Sequence, residues 1–497
     1  MKKQALSFLF SAVLLLTFAS CDGASSAVST IDGTAQDSTA ETTDVTAVDF
    51  ESMSFIERLT YNRSQISDDL AEYDYNGYEF RLGHLGRENA PTYIYNRDWL
   101  VEETTGDVLN DAIYERNRAL EERFNIDLTF VTCPDNDYNN AVSSPIMAGD
   151  DAFDMLTLHP SHFGAMTLRG LFLCLSDLNI DFSKPWWIRE SIENYSYEDQ
   201  VYTAYGIGTT VSTMSDSPVV FFNKELASDL QIENLYDVVC AGNWTYEYAS
   251  TLIKDTYRDL NGNGTVDEYD QFGLHFPRHQ QSYRYVWTLG GKYIYNNDSG
   301  VPTLNLGSAL MEKVFDTAKN LHSLEGVFIT DDYAATVFLH GNTLLENGSL
   351  SFRNAALRDA EFDIGILPNF KLDASQEHYL TNGGGGPQAI PITCSDAERS
   401  AVLMTALNSE SYKRVVPAFY EMNIKNKLTS DEDSAEMLDL IFSNVVYDGC
   451  RLYNETCISL LADYIGGNVG YSAFAAAREE SLRTQIQSNV DNFTLLD

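Results

Sequence analysis

A strand, a helix and a second strand in close succession between Tyr78 and Phe130 set the strongest limit on how this chain folds. Tyr78-Glu79-Phe80-Arg81-Leu82 reads as a short strand, and Ile126-Asp127-Leu128-Thr129-Phe130 alternates as another. Between them, Asp107 to Phe124 has helical periodicity: Leu109, Ala112, Ile113, Leu120 and Phe124 fall on one face, and Asp107 suits the positive end of the helix dipole. Two strands joined by a helical crossover pair in parallel, so the chain is α/β from its beginning. A further strand is expected over Phe153–Leu158.

The same style continues. Phe55 to Tyr73 looks helical, Pro218 to Phe222 reads as a buried strand, and Gln271 to Leu274 as another. Thr245 to Lys254 is predicted as a helix with Thr245 as its N-cap and Glu247 in its first turn. Ala397–Leu407, Ser434–Asn444 and Phe474–Gln487 carry apolar helical stripes. The sharpest interior break is Gly383-Gly384-Gly385-Gly386-Pro387, flexible enough for a hinge or a mobile loop.

The N-terminus reads as an export address. A short cationic start, Met1-Lys2-Lys3, precedes an uncharged apolar run from Ala5 to Phe18 and then Ala19-Ser20-Cys21. The segment resembles a bacterial lipoprotein signal, which implies cleavage before Cys21 and lipid attachment to that thiol. Residues 21–54 are rich in Ser, Thr, Ala, Gly and acids, too polar to fold alone, and read as a disordered tether. About 440 of the 497 residues remain, enough for two domains. With 73 acidic against 32 basic residues, a formal charge of −41, phosphate backbones are repelled and nucleic acid is excluded as a partner. The remaining cysteines, Cys133, Cys174, Cys240, Cys394, Cys450 and Cys457, form no CxxC pair and read mainly as buried thiols; Cys450 and Cys457 are the one close pair.

The strongest local motif is Asp259-Leu260-Asn261-Gly262-Asn263-Gly264-Thr265-Val266-Asp267-Glu268-Tyr269-Asp270. Asp259, Asn261, Asn263, Asp267 and Asp270 put oxygen side chains at loop positions one, three, five, nine and twelve, with Gly264 at six. Calcium needs several hard oxygens around one point, and Thr265 would add its carbonyl. Asp270 replaces the usual bidentate Glu, which weakens the site or adds a water. The alternative is an Asx-rich turn without an ion. Because Gln271 onward reads as strand, a bound Ca2+ is expected to be structural.

No HExxH, GxSxG or Walker A sequence occurs. His159 and His162 leave a strand within Leu158-His159-Pro160-Ser161-His162 and read as polar contacts or solvated side chains rather than metal ligands. Aromatics make up 12% of the chain, with 29 tyrosines. Trp186-Trp187 is assigned to packing. Tyr283, Tyr285 and Trp287 alternate, so an extended segment would put all three on one side, as core or as a platform for sugar rings.

Together these features resemble an extracellular solute-binding protein of a bacterial ABC importer, of the carbohydrate-binding, maltodextrin-binding-like class. The resemblance runs from about Tyr78 to the C-terminus. It rests on the order and spacing of Ala112–Asn117 with Phe124, Gly149–Asp154, Gly170–Leu178, Phe222–Lys224, Gly242–Thr245 and Phe362–Pro368. It implies two α/β lobes, each a mainly parallel sheet flanked by helices, joined by a hinge crossed near Tyr205–Val211, near Gly383–Pro391 and around Thr429. The corresponding division is 55–205 and 386–429 for lobe 1, and 206–385 with 430–497 for lobe 2. The implied function is capture of a carbohydrate, an oligosaccharide, in the interlobe cleft by a monomer without enzymatic activity. The closed form would then deliver it to the permease on the outer face of the cell membrane, held there only by the lipid. Cleft residues expected on this basis are Trp99, His159 and Phe163 from one lobe and Tyr283, Tyr285, Trp287 and Phe352 from the other. The rival readings are an exported carbohydrate-active enzyme and a surface adhesion lipoprotein.

Overall fold

The computed structural model describes residues 55–88, 90, 93–134, 136–277, 282–330, 336–350, 357, 360–425 and 432–493. The signal segment, the tether with Cys21, Phe352 and Thr429 lie outside the described residues. Helix α1 (Phe55–Ser64) ends earlier than its pattern suggests, and the following chain takes an irregular path in which Asp69 adopts a positive φ of 58°. Strand β1 (Tyr78–Gly86), helix α2 (Val108–Phe124) and strand β2 (Ile126–Pro134) form the expected parallel unit, with Tyr78 opposite Ile126 and Gly86 opposite Pro134. Asp107 caps α2 by accepting from the Asn110 N–H, and Asn125 ends it in the left-handed region with φ 50°. The buried face of α2 includes Leu109, Ile113, Leu120 and Phe124. At about 1.5–3 kcal/mol for each fully buried apolar side chain, this face rather than helix propensity holds the crossover in place. Strand β3 (Met155–Thr157) joins β1 on its other side, also in parallel.

The chain then crosses into a second sheet. It contains β4 (Pro218–Asn223), β5 (Phe272–Pro277), β6 (Val327–Thr330), β7 (Thr343–Ser349) and β8 (Ile364–Leu367), in the order β6-β5-β7-β4-β8. Only β4 runs against the others, antiparallel to both β7 and β8. Gln388–Ala389 returns to the first sheet as β9, antiparallel to β3. The expected helix with Thr245 as N-cap is α4 (Tyr246–Thr256), once α3 (Pro160–Thr167) is counted. Helix α5 (Tyr285–Thr288) is described with the pocket. Helix α6 (Ala397–Glu410) packs on α2, and α7 (Val416–Lys425) does the same, whereas α8 (Glu432–Phe442) packs on β8 of the second sheet. The final helix α9 runs from Tyr471 to Phe493. Among the described residues no helix is long and apolar enough to cross a membrane.

Separate cores serve the two sheets. One gathers Phe80, Leu82, Trp99, Phe124, Trp186 and Trp187, so the tryptophan pair packs as expected. A larger one fills the second lobe around Trp244, Phe276, Phe315 and Tyr464. A third joins Ile113 of α2 to Val219 and Phe221 of β4, Phe419 of α7 and Leu438 of α8, spanning both lobes behind the crossings. All six described cysteines are free thiols; Cys450 and Cys457 are buried without pairing, and Cys240, at the end of its helix, is exposed.

The crossing itself is held by buried polar groups. The Asp98 carboxylate accepts the N–H groups of Val211 and Ser212 at the start of the helix Thr210–Ser215, at 2.8 and 3.2 Å. Arg116, fully buried on α2, donates to the Asp98 and Gly208 carbonyls at 2.7 and 3.3 Å.

His84 lies at the centre of the first sheet and is 0% exposed. Its Nδ1 is 2.8 Å from the Leu85 carbonyl, which can only accept, so Nδ1 carries the proton and Nε2 accepts from Thr132 Oγ1 at 3.3 Å. Burial disfavours the imidazolium and lowers the pKa from 6.5 to about 4. The unfolded chain therefore binds this proton first. The contribution of His84 is complete above pH 6.5 and is lost as pH falls towards 4, by roughly 3 kcal/mol in all. Urea titrations across this range should show that loss in the native protein and not in His84→Gln. Parallel pH curves for the two proteins would contradict this assignment.

Candidate functional site

A pocket opens between the lobes where the crossing segments meet, with about 510 Å³ of unfilled space including its solvent-filled mouth. Tyr95 and His159 reach it from the first lobe, Asp216, Tyr283 and Trp287 from the second, and Asn382–Gly385, Tyr447 and Arg451 from segments that follow. His159 caps α3: its Nδ1 accepts from the Ser161 N–H at 3.3 Å, and its ring meets Tyr95 edge-on at 6.3 Å.

The segment after β5 is helical, contrary to the extended form expected from its alternation. Ser282–Arg284 is a 3-10 turn leading into α5. Residues four apart share a helical face, so Tyr283 and Trp287 both line the pocket, with rings edge to face at 5.7 Å. Tyr285 points the other way. It is buried against Phe276 and Phe370, and its hydroxyl accepts from Asn347 Nδ2 at 3.0 Å. Trp287 is only 3% exposed, at once pocket floor and part of the second core.

That floor is fixed by Asp448. Its carboxylate accepts from Trp287 Nε1 at 2.7 Å and from the Tyr293, Ile294 and Cys450 amides at 2.7, 3.0 and 2.9 Å. Asp216 is clasped by Arg284, whose Nη2 lies 2.9 Å from each carboxylate oxygen. Arg451 donates to Glu455 at 2.8 Å. Asp216, Asp448 and Arg451 are therefore each already engaged by protein partners, Asp448 by neutral N–H donors alone. Besides the His159 imidazole, the pocket's remaining polar side chains are phenolic and amide: Tyr195, Tyr205 and Tyr447 form an aromatic corner, with Tyr205 and Tyr447 centroids 4.2 Å apart. Burial holds these three phenols and Tyr95 above the ordinary range, so each is a neutral hydroxyl near pH 7. Asn382 keeps a buried side-chain oxygen without a hydrogen-bond partner.

The structure brings together His159, Tyr283 and Trp287 of the expected residues and places the others elsewhere. Trp99, 1% exposed, is covered by the Arg116 guanidinium 5.1 Å from its ring and belongs to the first core. Phe163, also 1% exposed, stacks on Phe172. Both are corrections to the expected site: aromatic character in a loop or after a strand did not distinguish them from core. Phe352 lies outside the described residues. Sequence reasoning missed Tyr95, Tyr195, Tyr205, Asp216, Asn382, Tyr447 and Arg451, which stand far apart in the chain with no local motif to mark them.

No family model and no curated protein matches the chain by sequence. Solved structures do match it in shape. A sugar transporter protein from Rhizobium etli in an open conformation aligns with a TM-score of 0.55 at 11% identity, covering 84% of this chain and 99% of that one. A cyclo/maltodextrin-binding protein complexed with maltotetraose gives 0.54 at 12%, over 84% and 99%. An ABC substrate-binding protein from Listeria monocytogenes in complex with cycloalternan gives 0.51 at 13%, over 83% and 99%. The chain has their two-lobed solute-binding fold. Within that fold the pocket lies between the lobes, at the crossings.

The glycine run beside the pocket is packed rather than loose. A Cβ on Gly383 would stand 2.2 Å from the Tyr447 hydroxyl, and one on Gly384 would stand 2.4 Å from Asp216 Cβ. These residues are small because the crossing passes this close to both lobes. Gly384→Ala should therefore lower stability by about 1–3 kcal/mol. Gly466→Ala, at a helix end with nothing within 4 Å, should leave it nearly unchanged. Chemical denaturation of the two variants compares them directly; equal, small effects would show that the crossing has room to spare.

Proposed function

We propose that this protein is an extracytoplasmic solute-binding protein that captures a neutral carbohydrate between its lobes and delivers it to an ABC permease. The observation that carries this reading is the pocket's lining: aromatic rings set edge-on and tilted against one another, neutral phenols and an unpaired amide oxygen, with every flanking charge already held by a protein partner. Sugar rings offer apolar faces to aromatics and hydroxyls to such donors and acceptors, whereas a charged ligand would lack a free counter-charge here. Binding rather than hydrolysis fits the two pocket carboxylates, since Asp448 spends its oxygens on four N–H donors and Asp216 on Arg284. Contacts from both lobes would favour the closed form, which is the form a permease would read.

In this reading residues 1–20 direct export, Cys21 carries a lipid, residues 21–54 form the tether, and the protein acts as a monomer on the outer face of the cell membrane. An oligosaccharide is the ligand first expected.

A thermal-shift screen against neutral mono- and oligosaccharides tests the proposal. A true ligand at a hundred times its Kd stabilises by about 2.7 kcal/mol and should raise the melting temperature visibly. Tyr283→Ala, which removes a half-buried ring at the pocket wall, should weaken that ligand by roughly tenfold or more, about 1.4 kcal/mol per tenfold, with the fold retained. Unaltered affinity in a folded Tyr283→Ala would move the site away from this pocket. Failure of every neutral saccharide, with a response to a charged solute, would overturn the ligand class.

A further inference from the structure

The loop Asp259–Asp270 joins α4 to β5, and the proposed transport role makes no use of it. Both ends are pinned. Arg258 and Gln271 exchange backbone hydrogen bonds of 3.0 and 2.9 Å, Gln271 Nε2 donates to the Thr256 carbonyl at 2.6 Å, and Asn342 Nδ2 donates to the Asp270 carbonyl at 2.6 Å. Inside the loop, Asp259 accepts the N–H groups of Gly262 and Gly264 at 2.7 and 2.9 Å. Both glycines have φ near +67°, which L side chains rarely adopt. The side chains of Asn261 and Asn263 meet at the Asp267 carboxylate, at 3.1 and 2.8 Å.

Asp270 supplies a further, independent observation. It is 0% exposed. One of its oxygens accepts the Asp267 N–H at 3.2 Å, which turns the carboxylate into the loop; the other, Oδ1, has no partner. A fully buried carboxylate oxygen without a donor is strongly unfavourable unless a cation meets it. Among the described residues no group of three or more His, Cys, Asp or Glu side chains stands ready to hold a metal. Here Asp259 and Asp267 are turned onto loop N–H groups, so amide and carbonyl oxygens have to complete the set.

We propose that this loop is a calcium site, with Asp270 as its closing, single-oxygen ligand. Asn261 and Asn263 reach the ion through their Oδ1 atoms, which now accept the Asn263 and Thr265 N–H groups at 3.0 and 2.6 Å, once their amide nitrogens release Asp267. Thr265 adds its backbone carbonyl. A set made only of carboxylate, amide and carbonyl oxygens suits calcium and not a soft metal. The ion has a structural task. Asp270 lies two residues before the start of β5, whereas the pocket residues Tyr283 and Trp287 follow its end, so a strand of six residues, roughly 20 Å, separates the two.

Calorimetric titration of chelator-stripped protein with calcium chloride, paired with melting curves, tests the site independently of any sugar. One ion per chain should bind, and the melting temperature should rise by several degrees. Asp270→Asn should weaken calcium at least tenfold. Without calcium this variant should melt no lower than the native protein, because it removes an unmatched buried charge. Asp267→Asn, nearer the surface, should also weaken calcium tenfold and carries the test where Asp270→Asn does not fold. Absence of calcium heat and of a melting shift in the native protein would overturn the proposal, as would an undiminished calcium response in a folded variant.

Discussion

A carboxylate taken out of water needs hydrogen bonds to replace its hydration, and Asp448, 3% exposed, obtains them from four N–H groups on three separate stretches of chain. That requirement organises the second lobe's side of the pocket. It draws the Trp287 indole downward, which fixes the rotation of α5 and leaves Tyr283, one turn earlier, at the wall. It also brings Ile294 beside Gly449, so the segment carrying Tyr447 and Arg451 is delivered to the same place. The group is thus an anchor, its oxygens already engaged by the chain's own N–H groups.

The crossing segments obey a complementary constraint. Asp98 and Arg116 place buried polar groups where the chain leaves the first lobe, and the glycine run removes side chains where it returns. The run is packed rather than loose, held against Tyr447, Asp216 and Thr213, so it leaves room only for small backbone rotations. The pocket's walls come from many segments, so a small rotation at the crossings would shift several of them at once.

Much of the frame was legible in the sequence because it depends on local rules. The α2 periodicity, the Asp107 and Thr245 caps and the strands on either side of α2 are each set by residues within one turn or one pleat, and each stands where expected. The site was legible only in part. Tyr-Arg-Tyr-Val-Trp fits a period of two as well as a short helix, and the choice is made by Asp448, 161 residues away from Trp287. Trp99 and Phe163 resembled binding residues because an aromatic in a loop or after a strand has the same local signature whether it faces a ligand or an arginine. Tyr95, Tyr205 and Tyr447 meet only through the crossings, and no spacing in the chain encodes that meeting.

The apolar cluster shared by α2, β4, α7 and α8 carries one more consequence. Two lobes with wholly private cores would unfold as independent blocks. Here residues of both contribute to the same buried cluster, so loss of one lobe exposes part of the other's interior. The lobes are thermodynamically coupled, and heat should melt them in a single cooperative transition whose calorimetric and van't Hoff enthalpies agree. Such coupling lets a stabilising event in either half protect the whole molecule from proteolysis and aggregation.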